Sequence, residues 1–205
     1  WMALRTTDIG FVLDAFEAAK AAGEMSDVWF LSEESRGSIL ELLEKIDMKS
    51  VGLMGHSMGG AASAALGRER DDISAVIDLD GTMLAEYVGV ADGRFVISDQ
   101  PYELPILEFV NWETRNQLQE YLSDGEDYPN TKVMKHAVTG FSVMIRDTKH
   151  MDFTDLPLLS PFIGKMLGSG QRDTKETMTI VNSIVLDFFD CYLKGESGFS
   201  VQEVY

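Results

Sequence analysis

Four short apolar runs alternate along this chain with stretches whose apolar residues recur at helical spacing. The runs are SVGLM at residues 50–54, ISAVIDL at 73–79, PILEFVN at 105–111 and FSVMIR at 141–146. Strands that alternate with amphipathic helices form a parallel sheet, because a parallel connection needs a long crossover. The alternation therefore predicts an α/β fold, with a mostly parallel sheet covered by helices on both faces.

The helices are predicted from apolar residues spaced three or four positions apart. The first pattern makes Thr6 and Thr7 candidate N-caps and Gly23 a stop signal, and the last pattern ends near Gly195. A small-residue helix is expected to end at about residue 68, and residues 164–173 are the best loop candidate. The apolar positions of the four amphipathic patterns, in chain order, are Ile9, Val12, Phe16 and Ala19, then Ile39, Leu42, Leu43 and Ile46, then Leu118, Tyr121 and Leu122, and finally Met178, Val181, Val185, Phe188 and Tyr192.

The length of 205 residues fits one domain or a large part of one. Four strands are few for such a sheet, and a chain that opens with Trp1 ahead of Met2 is not a typical natural start. We therefore expect further residues upstream, so that the chain is the second half of an α/β domain. For the same reason the lack of a signal peptide in the first residues assigns no localisation.

The charge balance argues against two classes of partner. The chain has 17 Lys and Arg against 34 Asp and Glu, a net charge of −17. Phosphate binding needs a basic surface, so neither nucleic acid nor an anionic membrane is an expected partner. No apolar run reaches the ~18 residues of a transmembrane segment. The single Cys191 cannot form an internal disulfide.

Three acidic clusters, at residues 33–34, 71–72 and 124–127, raise the question of a metal site. They lack the regular spacing of oxygen ligands found in a calcium loop. We interpret them as solvated surface and predict no metal.

The strongest local signal is the motif Gly55-His56-Ser57-Met58-Gly59, a G-x-S-x-G match. An apolar strand leads into it and a helix rich in small residues leads out, which is the context of a nucleophile elbow rather than an ordinary glycine turn. The flanking glycines are expected to avoid collisions between the turn and its neighbours. Ser57 is then the candidate nucleophile, and the Met58 N–H is the expected oxyanion donor.

A nucleophilic serine needs a base, and the chain has three histidines. His150 follows the strand at residues 141–146, so it is expected at the carboxyl edge of the sheet, where catalysis takes place in such folds. His136 precedes that strand, and His56 lies inside the elbow with its side chain expected to point away from the serine. His150 is the predicted base.

The acid that orients the histidine has three candidates. Asp80 directly follows the strand at residues 73–79, and Gly81 allows the chain to turn there. Asp78 lies on the same face but one pleat deeper, and Glu113 follows the next strand. We favour Asp80, with Glu113 as the alternative, which gives the hydrolase order Ser, acid, His along the chain.

The elbow segment GHSMGGA at residues 55–61 resembles the α/β-hydrolase superfamily. The segments VIDLDG at 76–81 and HMDFTD at 150–155 narrow the resemblance to the plasma-type platelet-activating-factor acetylhydrolases and their bacterial relatives, over residues 7–194. The resemblance implies a serine hydrolase without a cofactor that cleaves small-molecule or lipid esters with short or oxidised acyl chains, including those of phospholipids.

That family has further strands before its first helix, and a loop among them supplies the second oxyanion donor. Neither occurs in this chain, so the resemblance implies that residues 1–205 are the C-terminal part of a single α/β-hydrolase domain. The strand at 50–54 would then expose an unpaired edge. We expect that edge to pair with the N-terminal segment of the same protein.

Three functional classes stay open at this point. The first is a serine ester hydrolase; the second is another hydrolase, such as a peptidase, an amidase or a polyester-degrading enzyme; the third is an inactive binding or scaffold relative. Eight apolar residues in loops after strands could line an acyl pocket or cap the core: Met58, Met83, Leu84, Met151, Phe153, Leu156, Leu158 and Leu159.

Overall fold

Parallel strands form the central sheet of the computed structural model, which describes residues 1–23, 32–123, 127–196 and 198–205. The strands of the described residues, in chain order, are β1 (Val51–His56), β2 (Ile73–Leu79), β3 (Tyr87–Ala91), β4 (Arg94–Ile97), β5 (Ile106–Asn111) and β6 (Gly140–Ile145), of which β3 and β4 lie outside the central sheet. Within the described ranges the sheet has four strands in the order β1-β2-β5-β6, all parallel. The predicted α/β fold class is confirmed, because each apolar run is a strand of this sheet.

Helices cover both faces of the sheet. They are α1 (Met2–Ala22), α2 (Glu33–Lys45), α3 (Met58–Glu69), α4 (Trp112–Ser123), α5 (Pro129–His136), α6 (Leu156–Leu159), α7 (Pro161–Met166) and α8 (Thr174–Lys194). On one face, α8 packs on a core that includes Ile77, Phe109 and Val143. On the other, α3 and α5 pack on Val76 and Ile106, and α1 packs on α3.

Two predicted helix ends are confirmed, and one predicted start is wrong. Gly23 and Gly195 end α1 and α8 in the left-handed conformation, with φ of 69° and 72°. The first helix begins at Met2, so the predicted caps Thr6 and Thr7 lie inside it. Their hydroxyls donate to the Ala3 carbonyl, at 3.2 and 2.7 Å, as hydroxyls inside a helix commonly do.

One hairpin and the three short helices α5, α6 and α7 were not predicted from the sequence. Strands β3 and β4 pair antiparallel through a tight turn at Asp92 and Gly93, whose φ values are 52° and 78°. Asp-Gly is a strong hairpin signal, because both turn positions need positive φ. The predicted loop at 164–173 begins inside α7, since that helix extends to Met166. The acidic cluster at 124–127 lies largely outside the described residues.

The two edges of the sheet differ. At the β6 edge, residues 203–205 bond to the strand: Met144 N–H donates to the Glu203 carbonyl at 2.8 Å, and Tyr205 N–H donates to the Met144 carbonyl at 3.0 Å. At the other edge, β1 has β2 on one side and no partner on the other within the described residues. Met54 on β1 is 51% exposed. Apolar side chains on neighbouring α1 are also exposed: Leu4, Phe11 and Val12.

Helix α3 lies very close to the strands beneath it. A Cβ at Gly60 would lie 1.9 Å from Asp78 Oδ1, and a Cβ at Gly55 would lie 2.3 Å from the Gly59 backbone. A Cβ at Gly59 would meet nothing within 4 Å. The expectation that both flanking glycines of the motif avoid a collision is therefore wrong for Gly59, because the close approach falls one residue later, at Gly60.

A row of polar side chains crosses the sheet below the carboxyl ends of its strands. Asp78 on β2 is in register with Glu108 on β5, which is in register with Ser142 on β6. Asn130 from α5 donates to Asp78 Oδ2 at 3.3 Å and to Glu108 Oε2 at 3.2 Å, and Ser142 Oγ donates to Glu108 Oε1 at 2.8 Å. Burial raises the pKa of both carboxyls, and the negative charge of Glu108 adds to the rise at Asp78.

We predict that Gly60→Ala lowers the free energy of unfolding by about 1–3 kcal/mol, because the added methyl group overlaps the Asp78 carboxyl. Gly59→Ala is the matched control, since its methyl group enters open space and alanine favours a helix. Urea unfolding of both variants, made in the complete gene product, measures the difference. Equal stability of the two variants would contradict the close packing at Gly60.

We predict that Glu108→Gln gains stability relative to the wild type as the pH rises. The raised pKa of Glu108 means that its stabilising contribution is complete below its unfolded pKa of about 4.3 and is lost as pH rises through the folded pKa. Glutamine does not ionise, and it can still accept from Asn130 and donate to Ser142.

Urea unfolding of both proteins at pH 5 and pH 8 tests this. The exposed Glu113→Gln removes the same charge and serves as the control. A difference between wild type and Glu108→Gln that does not change with pH would show that Glu108 is ionised throughout.

Candidate active site

Ser57 occupies the sharp turn between β1 and α3. Its φ of 58° and ψ of −125° are strained for a residue with a side chain. The Ser57 N–H donates to the Leu79 carbonyl at 2.9 Å, and the Ser57 carbonyl accepts from Ala61 N–H at 3.1 Å. The turn is thus held from both sides, and the hydroxyl is presented at the carboxyl end of β1.

The structure brings Ser57, His150 and Asp80 together. Ser57 Oγ lies 2.9 Å from His150 Nε2, and His150 Nδ1 lies 2.6 Å from Asp80 Oδ2. A carboxylate can only accept a hydrogen bond, so the Nδ1 of a neutral His150 carries the hydrogen and the Nε2 is free to accept from the serine. This is the arrangement in which a histidine can remove the serine proton.

Asp80 is held in a second strained position, directly after β2. Its φ is 59°, and its N–H donates to the Phe109 carbonyl at 2.9 Å. Its carboxylate accepts from the backbone N–H of Asn111 at 2.9 Å and from Asn111 Nδ2 at 2.6 Å, in addition to His150. The side chain is almost fully buried, at 3% exposure.

The other two acid candidates lie elsewhere. Glu113 Oε1 is 3.3 Å from Lys149 Nζ on the exposed rim. Asp78 Oδ1 accepts from Gly81 N–H at 2.8 Å, within the buried row below the site. Neither contacts His150 in the structure.

Asn111 was missed in the sequence analysis. It is the last residue of β5, and its Oδ1 accepts from Thr114 N–H at 2.7 Å, the bond that an N-cap makes at the start of α4. The same side chain therefore begins a helix and orients the Asp80 carboxylate. An asparagine between an apolar strand and a helical pattern is a recognisable cap, but its contact with Asp80 depends on the pairing of β2 with β5.

His56 lies beside the His150 ring. The ring centroids are 4.4 Å apart, and His56 Nε2 lies 2.9 Å from the His150 carbonyl oxygen. Burial lowers the pKa of His56, and the neighbouring His150 also disfavours a second positive charge. A neutral His56 that donates from Nε2 anchors the backbone of His150. The sequence analysis did not predict this contact. His136 is the last residue of α5 and precedes β6, so it lies towards the amino ends of the strands rather than their carboxyl ends.

A cleft of about 420 Å³ opens next to the serine. Of the eight apolar loop residues, Met58 and Leu84 line it, whereas Met83 and Phe153 are buried in the core. Leu159 is 81% exposed. Most of the residues that line the cleft are polar, although about half of the wall surface is apolar. The polar residues include side chains from α4 and α5: Thr114, Arg115, Gln117, Asn130 and Thr131.

Met58 is the first residue of α3, so its N–H has no acceptor within the helix. In a nucleophile elbow, the N–H of the residue after the nucleophile is the one expected to bind the oxyanion. Within the described ranges, no group of three or more His, Cys, Asp or Glu is arranged to hold a metal ion. In the same part of the chain, no helix is long and apolar enough to cross a membrane.

Two solved structures resemble this chain. A ferulic acid esterase from Streptomyces cinnamoneus matches with a TM-score of 0.63 and 22% identity, over 96% of this chain and 50% of the esterase. An acylaminoacyl peptidase from Pyrococcus horikoshii matches with a TM-score of 0.40 and 16% identity, over 82% of this chain and 28% of the peptidase. The first likeness shows the fold, an α/β-hydrolase fold, and the chain spans half the length of that esterase.

A comparison with curated proteins found no match. A family model described as platelet-activating factor acetylhydrolase, isoform II, matches residues 2–202, almost the whole chain. This is the family that the segments around Ser57, Asp80 and His150 resemble. The chain therefore belongs to the platelet-activating factor acetylhydrolase, isoform II, family.

Proposed function

We propose that this chain carries the catalytic residues of a serine ester hydrolase, with Ser57 as nucleophile, His150 as base and Asp80 as the orienting acid. The single observation that carries the proposal is the hydrogen-bonded series from Ser57 Oγ through His150 to Asp80, at 2.9 and 2.6 Å. Membership of the acetylhydrolase family supports it.

In the proposed reaction, His150 Nε2 takes the proton as Ser57 Oγ attacks the ester carbonyl. The carbonyl oxygen becomes an oxyanion that the Met58 N–H stabilises. Collapse of the tetrahedral intermediate expels the alcohol, which receives the proton from His150, and leaves an acyl group on Ser57. Water, activated by the same His150, then releases the acid and restores the serine.

Asp80 holds the protonated His150 through its Nδ1–H and stabilises its positive charge. The carboxylate retains its orientation during this step because Asn111 donates two hydrogen bonds to it. Both donors belong to the end of β5, so the geometry of the acid depends on the central strands of the sheet rather than on a mobile loop.

The proposed substrates are esters with short acyl chains, or phospholipid-like esters with a short acyl group. The cleft of about 420 Å³ has room for a small acyl group, and its wall is about equally polar and apolar. Peptidase, amidase or polyester hydrolase activity is the alternative, and an inactive binding relative is a third. Activity of the complete gene product on 4-nitrophenyl esters of increasing chain length, compared with matched anilides, separates the first two.

We predict that Ser57→Ala abolishes labelling by a fluorophosphonate probe and removes nearly all ester hydrolysis in the complete gene product. The variant should fold normally, since one hydroxyl is lost and alanine fits the turn. Probe labelling and ester hydrolysis give the two readouts. Undiminished hydrolysis would rule out Ser57 as the nucleophile, and a wild type that neither labels nor hydrolyses esters would favour the inactive relative.

Two further variants sharpen the same test. Asp80→Asn should lower turnover by up to ~10⁴-fold, because the amide favours the wrong tautomer of His150. Glu113→Gln, one of the other acid candidates, should leave turnover close to the wild-type value. The reverse result would exchange the roles of the two acids.

We also propose that residues 1–205 are the C-terminal part of a single hydrolase domain, in which a further segment pairs with the open edge of β1. An exposed apolar edge strand promotes aggregation, and α1, which packs on α3, exposes several apolar side chains. The same segment would supply a second oxyanion donor opposite the Met58 N–H.

We predict that residues 1–205 expressed alone are insoluble or inactive, and that the complete gene product is soluble and active. Ester hydrolysis and size-exclusion chromatography of both proteins measure this. A soluble, monomeric and fully active 205-residue chain would show that β1 needs no further strand.

A further inference from the structure

Arg115 is an unusual residue in the wall of the cleft. It lies one turn into α4, is half-buried, and lines the same cleft as Ser57 and His150. Within the described residues it has neither a hydrogen-bonded nor an ion-paired partner. Other half-buried arginines of the chain do have partners: Arg68 lies 2.7 Å from Glu86, Arg70 lies 2.6 Å from Asp72, and Arg172 lies 2.7 Å from Glu176.

The other charges at the cleft are already compensated. Lys149 Nζ lies 3.3 Å from Glu113 Oε1 on the rim. The Asp80 carboxylate accepts from His150 Nδ1 and from Asn111. Among the described residues, the guanidinium of Arg115 is thus the positive charge at this wall that lacks a counter-ion.

Glu108 does not fill that role. It lines the cleft floor, and its two oxygens accept from Ser142 and Asn130. Burial raises the pKa of Glu108, which favours the neutral acid, and the nearby charge of Arg115 opposes that rise only in part. The two groups interact through space without a hydrogen bond.

A partly buried guanidinium whose donors have no protein partner is available to bind an anionic ligand. Arg115 and Lys149 are the Lys and Arg residues that line the cleft, and of the two only Lys149 has an ion-pair partner among the described residues. The planar guanidinium matches carboxylate and phosphate groups, which it can bind through two parallel hydrogen bonds.

We propose that the cleft recognises esters that bear a carboxylate or a phosphate, and that Arg115 binds this anionic group while the ester carbonyl lies at Ser57. The inference rests on the proposed ester hydrolase function and specifies its substrate class. Thr114 and Gln117, which flank Arg115 on the same helix and line the cleft, supply further polar groups for the anion.

The test compares two substrates in the complete gene product at low, constant ionic strength. One is mono-(4-nitrophenyl) glutarate, and the other is 4-nitrophenyl 5-methylhexanoate, in which an isopropyl group replaces the carboxylate. The readout is the ratio of their kcat/KM values, from which any general loss of folded enzyme cancels. Competitive inhibition by glutarate and by glycerol 3-phosphate, measured against the neutral ester, distinguishes a carboxylate from a phosphate.

Arg115→Gln should lower the ratio, or weaken the inhibition by one of the two anions, by about tenfold or more, the usual effect of a lost charge-assisted hydrogen bond. Arg115→Lys should retain part of the preference for the anionic substrate, since lysine keeps the positive charge but lacks the planar guanidinium that makes two parallel hydrogen bonds. Arg146→Gln is the matched control: it removes the same charge after β6, on an exposed residue outside the cleft lining, and should leave the ratio unchanged.

An unchanged ratio together with unchanged inhibition by both anions in Arg115→Gln would overturn the anion subsite while leaving the ester hydrolase intact. Absence of hydrolysis of both esters by the wild type would instead overturn the proposed function, and the subsite with it.

Discussion

The Asp78 carboxyl links the two turns on which the candidate site is built. Its Oδ1 accepts from Gly81 N–H at 2.8 Å, and it occupies the space that a side chain at Gly60 would need. Gly60 belongs to the helix that follows Ser57, and Gly81 belongs to the turn that follows Asp80. A buried group on β2 therefore sets the distance between the serine turn and the acid turn, and the positions of Ser57 and Asp80 follow from it.

The burial of that carboxyl has an electrostatic consequence. Two acids side by side in the sheet, Asp78 and Glu108, cannot both be ionised without a large cost, and burial raises the pKa of both. Above them, Asp80 receives three hydrogen bonds, two from Asn111 and one from His150. The lower row thus holds two acids whose burial favours the neutral form, while the acid above it is held by donors from β5 and from His150.

Much of the fold could be predicted from the sequence because its signals are local. The apolar runs predicted the strands of the central sheet. Gly23 and Gly195 marked two helix ends, because glycine is the residue that most readily adopts the left-handed conformation found there. The start of α1 was predicted too late in the chain, because Thr6 and Thr7 were interpreted as N-caps although their hydroxyls bond to a carbonyl within the helix. The Asp92-Gly93 hairpin was missed although its turn signal was present.

The candidate site likewise contains residues that could be predicted from the sequence and residues that could not. A motif and the ends of strands were enough to select Ser57, Asp80 and His150, which the structure brings together. Asn111 and the ring of His56 could not be found in this way. Their contacts depend on which strands are neighbours and on how the loop after β6 returns to the elbow, and neither is encoded in a short segment.

The sheet is closed along one side only. Backbone bonds from residues 203–205 occupy the outer side of β6, whereas the outer side of β1 is open within the described residues. A strand that extends the sheet must therefore be added beside β1, whether it comes from the same polypeptide or from another copy. Because β1 runs directly into Ser57, a strand added at this edge would lie next to the strand that carries the nucleophile, so extension of the sheet and access to the serine turn share one side of the molecule.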